Sequence, residues 1–108
     1  DITLRNLEAK SARLMVLAAM QGCAVVNLSA GPSRLVVPRA TRASLAQARP
    51  RGFCPDLAAE ALALEAALDY RVPSGRYWEE SARFDPARLD RLDALWLQAA
   101  ATPLRRTA

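Results

Sequence analysis

Five arginines and no acid fall within RLVVPRATRASLAQARPR, residues 34 to 51: Arg34, Arg39, Arg42, Arg49 and Arg51. A guanidinium presents a planar fork of N–H donors that suits phosphate and carboxylate oxygens equally well. The chemistry this stretch offers is therefore anion binding, and not proton transfer. Nucleic acid and an acidic protein surface are the two partner classes that fit it. If about four of these arginines met duplex phosphates, log affinity would fall against log salt with a slope of roughly −3 to −4. A solvated, solubilising skin is the competing reading. Fourteen of the fifteen basic residues are arginine, a bias that a GC-rich genome produces by itself.

Other reactive groups are few. No histidine occurs, which removes the usual neutral-pH proton shuttle and with it the Ser-His-Asp and Cys-His mechanisms. Paired acids remain at Asp56 and Glu60, one helical turn apart, and at Glu79 and Glu80 near Arg83. At those spacings they read as solvated helix faces and exposed ion pairs. Cys23 and Cys54 have no CxxC partner, so neither a zinc site nor a redox dithiol is indicated. They read as two reduced, mostly buried thiols, with a Cys23–Cys54 disulfide as the alternative. Neither GxGxxG nor GxxxxGK[ST] is present, so nothing cradles a nucleotide phosphate. The expectation is a protein with no catalytic residues, no metal and no cofactor.

Among the aromatic residues, Trp96 lies on a leucine stripe and belongs in the core. Arg76, Tyr77 and Trp78 are consecutive, and two adjacent rings on a helix cannot both point fully inward. They form a second candidate contact for a partner, with the cation beside an exposed ring.

These side chains need a scaffold. The 108 residues are 52% hydrophobic and 24% charged with a net charge of +4, which fits one domain with one core. Residues 103–108 read as a mobile tail. Charge is lopsided: Lys10, Arg13 and the five arginines above face no acid between Ala9 and Pro55, whereas the chain from Pro55 onward carries seven arginines against nine acids. The apolar run LMVLAAMQGCAVVNL, residues 14 to 28, falls short of the roughly 20 residues a membrane span requires. A cytoplasmic protein without a membrane partner is expected.

Along the chain, Thr3 serves as N-cap of a first helix that Gly22 stops. Residues 14 to 20 are apolar all round, so that half should be enclosed by other elements or by a second copy. CAVVNLSA, GPS and RLVV then predict a β-hairpin at about residues 23–37, with β-branched strands flanking a Gly31-Pro32 turn. Its open edges make a homodimer a natural expectation. TRASLAQA predicts a short helix capped by Thr41. Pro55 and Asp56 open a second long helix with a stripe of Leu57, Ala61, Leu64 and Leu68. After a turn at residues 72–75 and a short helical stretch from Tyr77 to Phe84, Asp85-Pro86 opens the last helix, whose stripe is Leu92, Leu95, Trp96 and Ala99.

The fold class that follows is α+β: a long N-terminal helix, a β-hairpin, then three helical segments packed as one small domain. The function that follows is a small non-catalytic binding protein whose arginine-rich edge engages nucleic acid or a complex that carries it. The alternative is an adaptor or inhibitor of the kind encoded by phages and mobile elements. Such a protein would bind a host protein, for example a component of bacterial nucleic-acid defence, in an anti-CRISPR-like manner.

Overall fold

The computed structural model describes residues 6–69, 73–76 and 81–101. Three α-helices make up its frame: α1 (Leu7–Met20), α2 (Pro55–Leu68) and α3 (Pro86–Ala101). Short 3-10 turns occur at Leu45–Gln47 and Ser81–Arg83. The described residues contain no strand, only an isolated parallel bridge between Asn27 and Arg39. The fold is therefore all-helical, which overturns the α+β expectation and its hairpin.

Local chemistry sets the helix ends. The Asn6 side chain accepts from the Ala9 N–H at 3.0 Å and caps α1, whereas Thr3 lies outside the described residues. At the other end Gly22 takes a left-handed φ of 74°. There the Gly22 N–H donates to Ala19 O at 3.0 Å and the Cys23 N–H to Ala18 O at 2.9 Å. These two bonds satisfy carbonyls that the helix leaves open, a pattern glycine permits without a Cβ penalty. Pro55 stands in the first turn of α2, where its missing N–H costs nothing. The Asp85 carboxylate accepts from Ala87 N–H at 3.1 Å at the start of α3.

Helix α3 packs against both α1 and α2 and is the centre of the molecule. Its Leu92, Leu95, Trp96, Ala99 and Ala100 meet Ala12, Met15 and Val16 of α1 and Ala58 and Ala61 of α2. Ala12, Ala58, Ala61 and Ala99 are completely buried. Small side chains at these positions let the helices close on the Trp96 indole, itself 2% exposed. Leu57, Leu64 and Leu68 lie partly buried against the same core.

The hairpin fails because side chains take the backbone donors that a ladder needs. Ser29 N–H donates to the Asn27 side chain at 2.8 Å and Gly31 N–H to Ser29 Oγ at 3.3 Å. Leu35 N–H donates to Ser33 Oγ at 3.1 Å, and Val36 N–H to Ser11 Oγ on α1 at 3.0 Å. Asn and Ser offer the backbone such local alternatives to a sheet. Pro38 contributes a carbonyl but no N–H, so pairing stops after a single bridge.

Three further expectations are corrected. Within the chain the second half of α1 is enclosed on one side only, with Met15 and Val16 buried but Leu14 57% and Met20 44% exposed. Cys23 and Cys54 are free thiols, as the leading reading held, yet Cys23 is exposed and Cys54 only half-buried. TRASLAQA yields the three-residue 3-10 turn Leu45–Gln47 in place of a helix.

Candidate functional site

The arginine stretch lies in the long irregular connection between α1 and α2. It is fastened at both ends. At the start, Asn27 N–H donates to Pro38 O at 2.8 Å and Ala40 N–H to Asn27 O at 3.0 Å, which is the bridge at Arg39. At the finish, Cys54 N–H donates to Ala99 O on α3 at 2.9 Å, and Phe53 packs partly buried against the core.

Between these anchors the chain closes on itself. Thr41 N–H donates to Ser44 Oγ at 3.0 Å, and Ser44 N–H returns to Thr41 Oγ1 at 3.1 Å. This reciprocal exchange fixes the turn that leads into Leu45–Gln47, as a capping box fixes a helix start. Arg49 folds back over that turn, its Nη1 donating to Ala48 O at 2.9 Å and Ala46 O at 3.4 Å. The guanidinium of Arg49 therefore lies at the C-terminal end of the Leu45–Gln47 turn. The Arg39 guanidinium reaches across the bridge to the Ser29 carbonyl. Arg42 and Arg51 have no hydrogen bond or ion pair among the described residues, and all four side chains are exposed.

Carboxylates pair with other arginines. Arg13 meets Glu65 at 2.7 Å, Arg91 meets Glu60 at 2.8 Å, and Arg83 lies 3.7 Å from Asp69. Arg34 forms a two-pronged pair with Glu8, at 2.9 Å through Nε and 3.0 Å through Nη2. Hydrogen bonding from Arg34, and then from its own backbone N–H, lowers the Glu8 carboxyl from its ordinary value. The Glu8 hydrogen bond in turn raises Arg34. Of the five sequence candidates, Arg34 is thus the one whose charge is locally balanced. Among the described residues, Arg39, Arg42, Arg49 and Arg51 carry their charge without a carboxylate partner.

No protein-family model, curated protein or solved structure matches this chain. Function therefore has to be read from the residues themselves.

Arg76 is exposed at the end of the 73–76 turn, its N–H donating to Ser74 Oγ at 3.2 Å. Tyr77, Trp78, Glu79 and Glu80 lie outside the described residues. Among the described residues, no group of three or more His, Cys, Asp or Glu could hold a metal ion. No described helix is long and apolar enough to cross a membrane.

Two features escaped the sequence. The first is the junction of all three helices, where Glu65 Oε2 accepts from Trp96 Nε1 at 2.8 Å and Arg13 clasps both carboxylate oxygens. Arg13 also stands 5.7 Å from the centre of the Trp96 ring. A buried indole requires an acceptor, but its position in the chain does not say which residue supplies one. The second is a groove of about 540 Å³ between α1 and the connection, lined by Leu7, Leu14, Val25, Leu28, Leu35 and Val37 among others.

Proposed function

We propose that this is a non-catalytic binding protein whose loop from Arg39 to Arg51 engages an anionic surface. One observation supports the reading above the rest: four exposed arginines share thirteen residues with no acid, and none has a carboxylate partner among the described residues. An arginine already paired gains little from a new anion, because it must first surrender the old one. An unpaired one pays no such exchange. Arg34 therefore drops out of the proposed surface, and the other four carry it. Tethering at Asn27 and at Ala99 supports the same reading, since a loop held at both ends loses less freedom on binding.

Heparin chromatography across a salt gradient tests this. The Arg42, Arg49 and Arg51 to Ala triple variant should elute at distinctly lower salt than the wild type. An equally charged control, with Arg83, Arg88 and Arg91 changed to Ala, should elute later than that variant. Coincident elution of the two variants would show that only net charge matters and would remove the loop as a site. Far-ultraviolet circular dichroism checks that both remain folded.

A further inference from the structure

We infer that the anionic surface is the sugar–phosphate backbone of duplex nucleic acid, gripped without reading of the bases. This deepens the proposed function and rests on it. Three observations separate the backbone of a duplex from other polyanions.

The first concerns apolar contact. Protein interfaces have an apolar, aromatic-rich centre, whereas nucleic-acid interfaces are more polar and far more positive. Residues 39–51 contain no aromatic residue, and Leu45, at 47% exposure, is their one large apolar side chain. A patch so composed lacks the centre that an acidic protein would bury.

The second concerns stacking. Single strands are held by rings on which successive bases lie. The described rings point elsewhere: Phe84 and Trp96 are 4% and 2% exposed, and Phe53 packs against the core. The loop itself holds no ring on which a base could stack.

The third concerns shape. Base edges in the major groove are reached by an inserted α-helix or two-stranded ribbon. Here the arginines ride on an irregular loop whose only regular piece is the three-residue turn Leu45–Gln47. Such a loop lies along the phosphates without entering the groove, and phosphate contacts position a protein without specifying sequence.

Fluorescence anisotropy on the full chain tests the inference, using labelled 20-base-pair DNA duplexes of two unrelated sequences, one of their single strands, and polyglutamate. The duplexes should bind within about twofold of each other and more tightly than the single strand. Three to four phosphate contacts give a log–log salt slope of roughly −2.7 to −3.6, so affinity should fall about 40- to 150-fold between 50 and 200 mM salt. Each loop arginine changed to Ala should lessen the slope by about 0.9. Preference for the single strand, marked preference for one duplex sequence, or binding to polyglutamate but not DNA would each overturn the duplex-backbone inference while leaving the anion-binding loop in place. If no polyanion binds at 50 mM salt, both fall together.

Discussion

Changing Glu65 to Ala should cost about 2 to 4 kcal/mol of folding stability, more than any other single exposed or half-exposed polar substitution in the described residues. The Trp96 indole is 2% exposed and donates to Glu65 at 2.8 Å. A hydrogen bond to a charged acceptor contributes about 1.5 to 3 kcal/mol, and truncating the acceptor strands the buried donor. The Arg13 pair adds less. The Arg13 side chain is 44% exposed against 16% for Glu65, so solvent screening holds its share to about 0.5 to 1 kcal/mol. Against a total of about 5 to 15 kcal/mol for a domain this is a large loss. At about 4 °C per kcal/mol it corresponds to a fall in Tm of roughly 8 to 16 °C. Urea unfolding followed by Trp fluorescence measures it. Glu65→Gln retains an acceptor for the indole and should lose only about 1 kcal/mol. In a Trp96→Phe background the donor is gone, and Glu65→Ala should then cost under about 1 kcal/mol. A Glu65→Ala protein within about 0.5 kcal/mol of the wild type would show that this junction does not hold the helices together.

Acid should release the tie between the connection and α1. Glu8 is lowered in the folded protein by Arg34, so its contribution is complete above its ordinary value of 4.5 and is lost as pH falls through the lower folded value. An NMR titration should find the Glu8 carboxyl below 4.5, and Arg34→Ala should raise it toward that value; an unshifted Glu8 in the wild type refutes the pair. Ser11, 5% exposed, accepts from Val36 N–H and donates to Glu8 O at 2.8 Å. Ser11→Ala should therefore cost about 1 to 3 kcal/mol in denaturant unfolding. Leu92→Ala empties a site 2% exposed at the centre of α3 and should cost about 2 to 5 kcal/mol. Iodoacetamide should label exposed Cys23 before half-buried Cys54, followed by mass spectrometry of the tryptic peptides; equal rates would mean that Cys54 opens freely.

Helix chemistry was legible because it is local. Gly22, Pro55 and Asp85-Pro86 mark their boundaries through bonds to residues at most a turn away. The stripe Leu92, Leu95, Trp96 and Ala99 is buried as its spacing predicts, since one face of a helix is fixed once the helix forms. The hairpin was misread for the opposite reason. Its valines carry the right propensity, but the donors of residues 29, 31, 35 and 36 found hydroxyl and amide oxygens, one of them on Ser11. Strand pairing competes with whatever acceptor the tertiary fold brings near, and propensity does not count those acceptors.

The same division governs the arginines. Composition alone established a basic front half without acids between Ala9 and Pro55. Which guanidinium groups remain available depended on where acids elsewhere in the chain came to rest. Glu8 reached Arg34 across 26 residues, and Glu65 reached Arg13 across 52. Residue type and short-range spacing thus determined helix positions and the sign of the charge, because those follow from each residue and its near neighbours. The choice of ion pairs, the loss of the hairpin and the set Arg39, Arg42, Arg49 and Arg51 left without a carboxylate partner among the described residues were decided by packing, which alone sets distances between residues far apart in the chain.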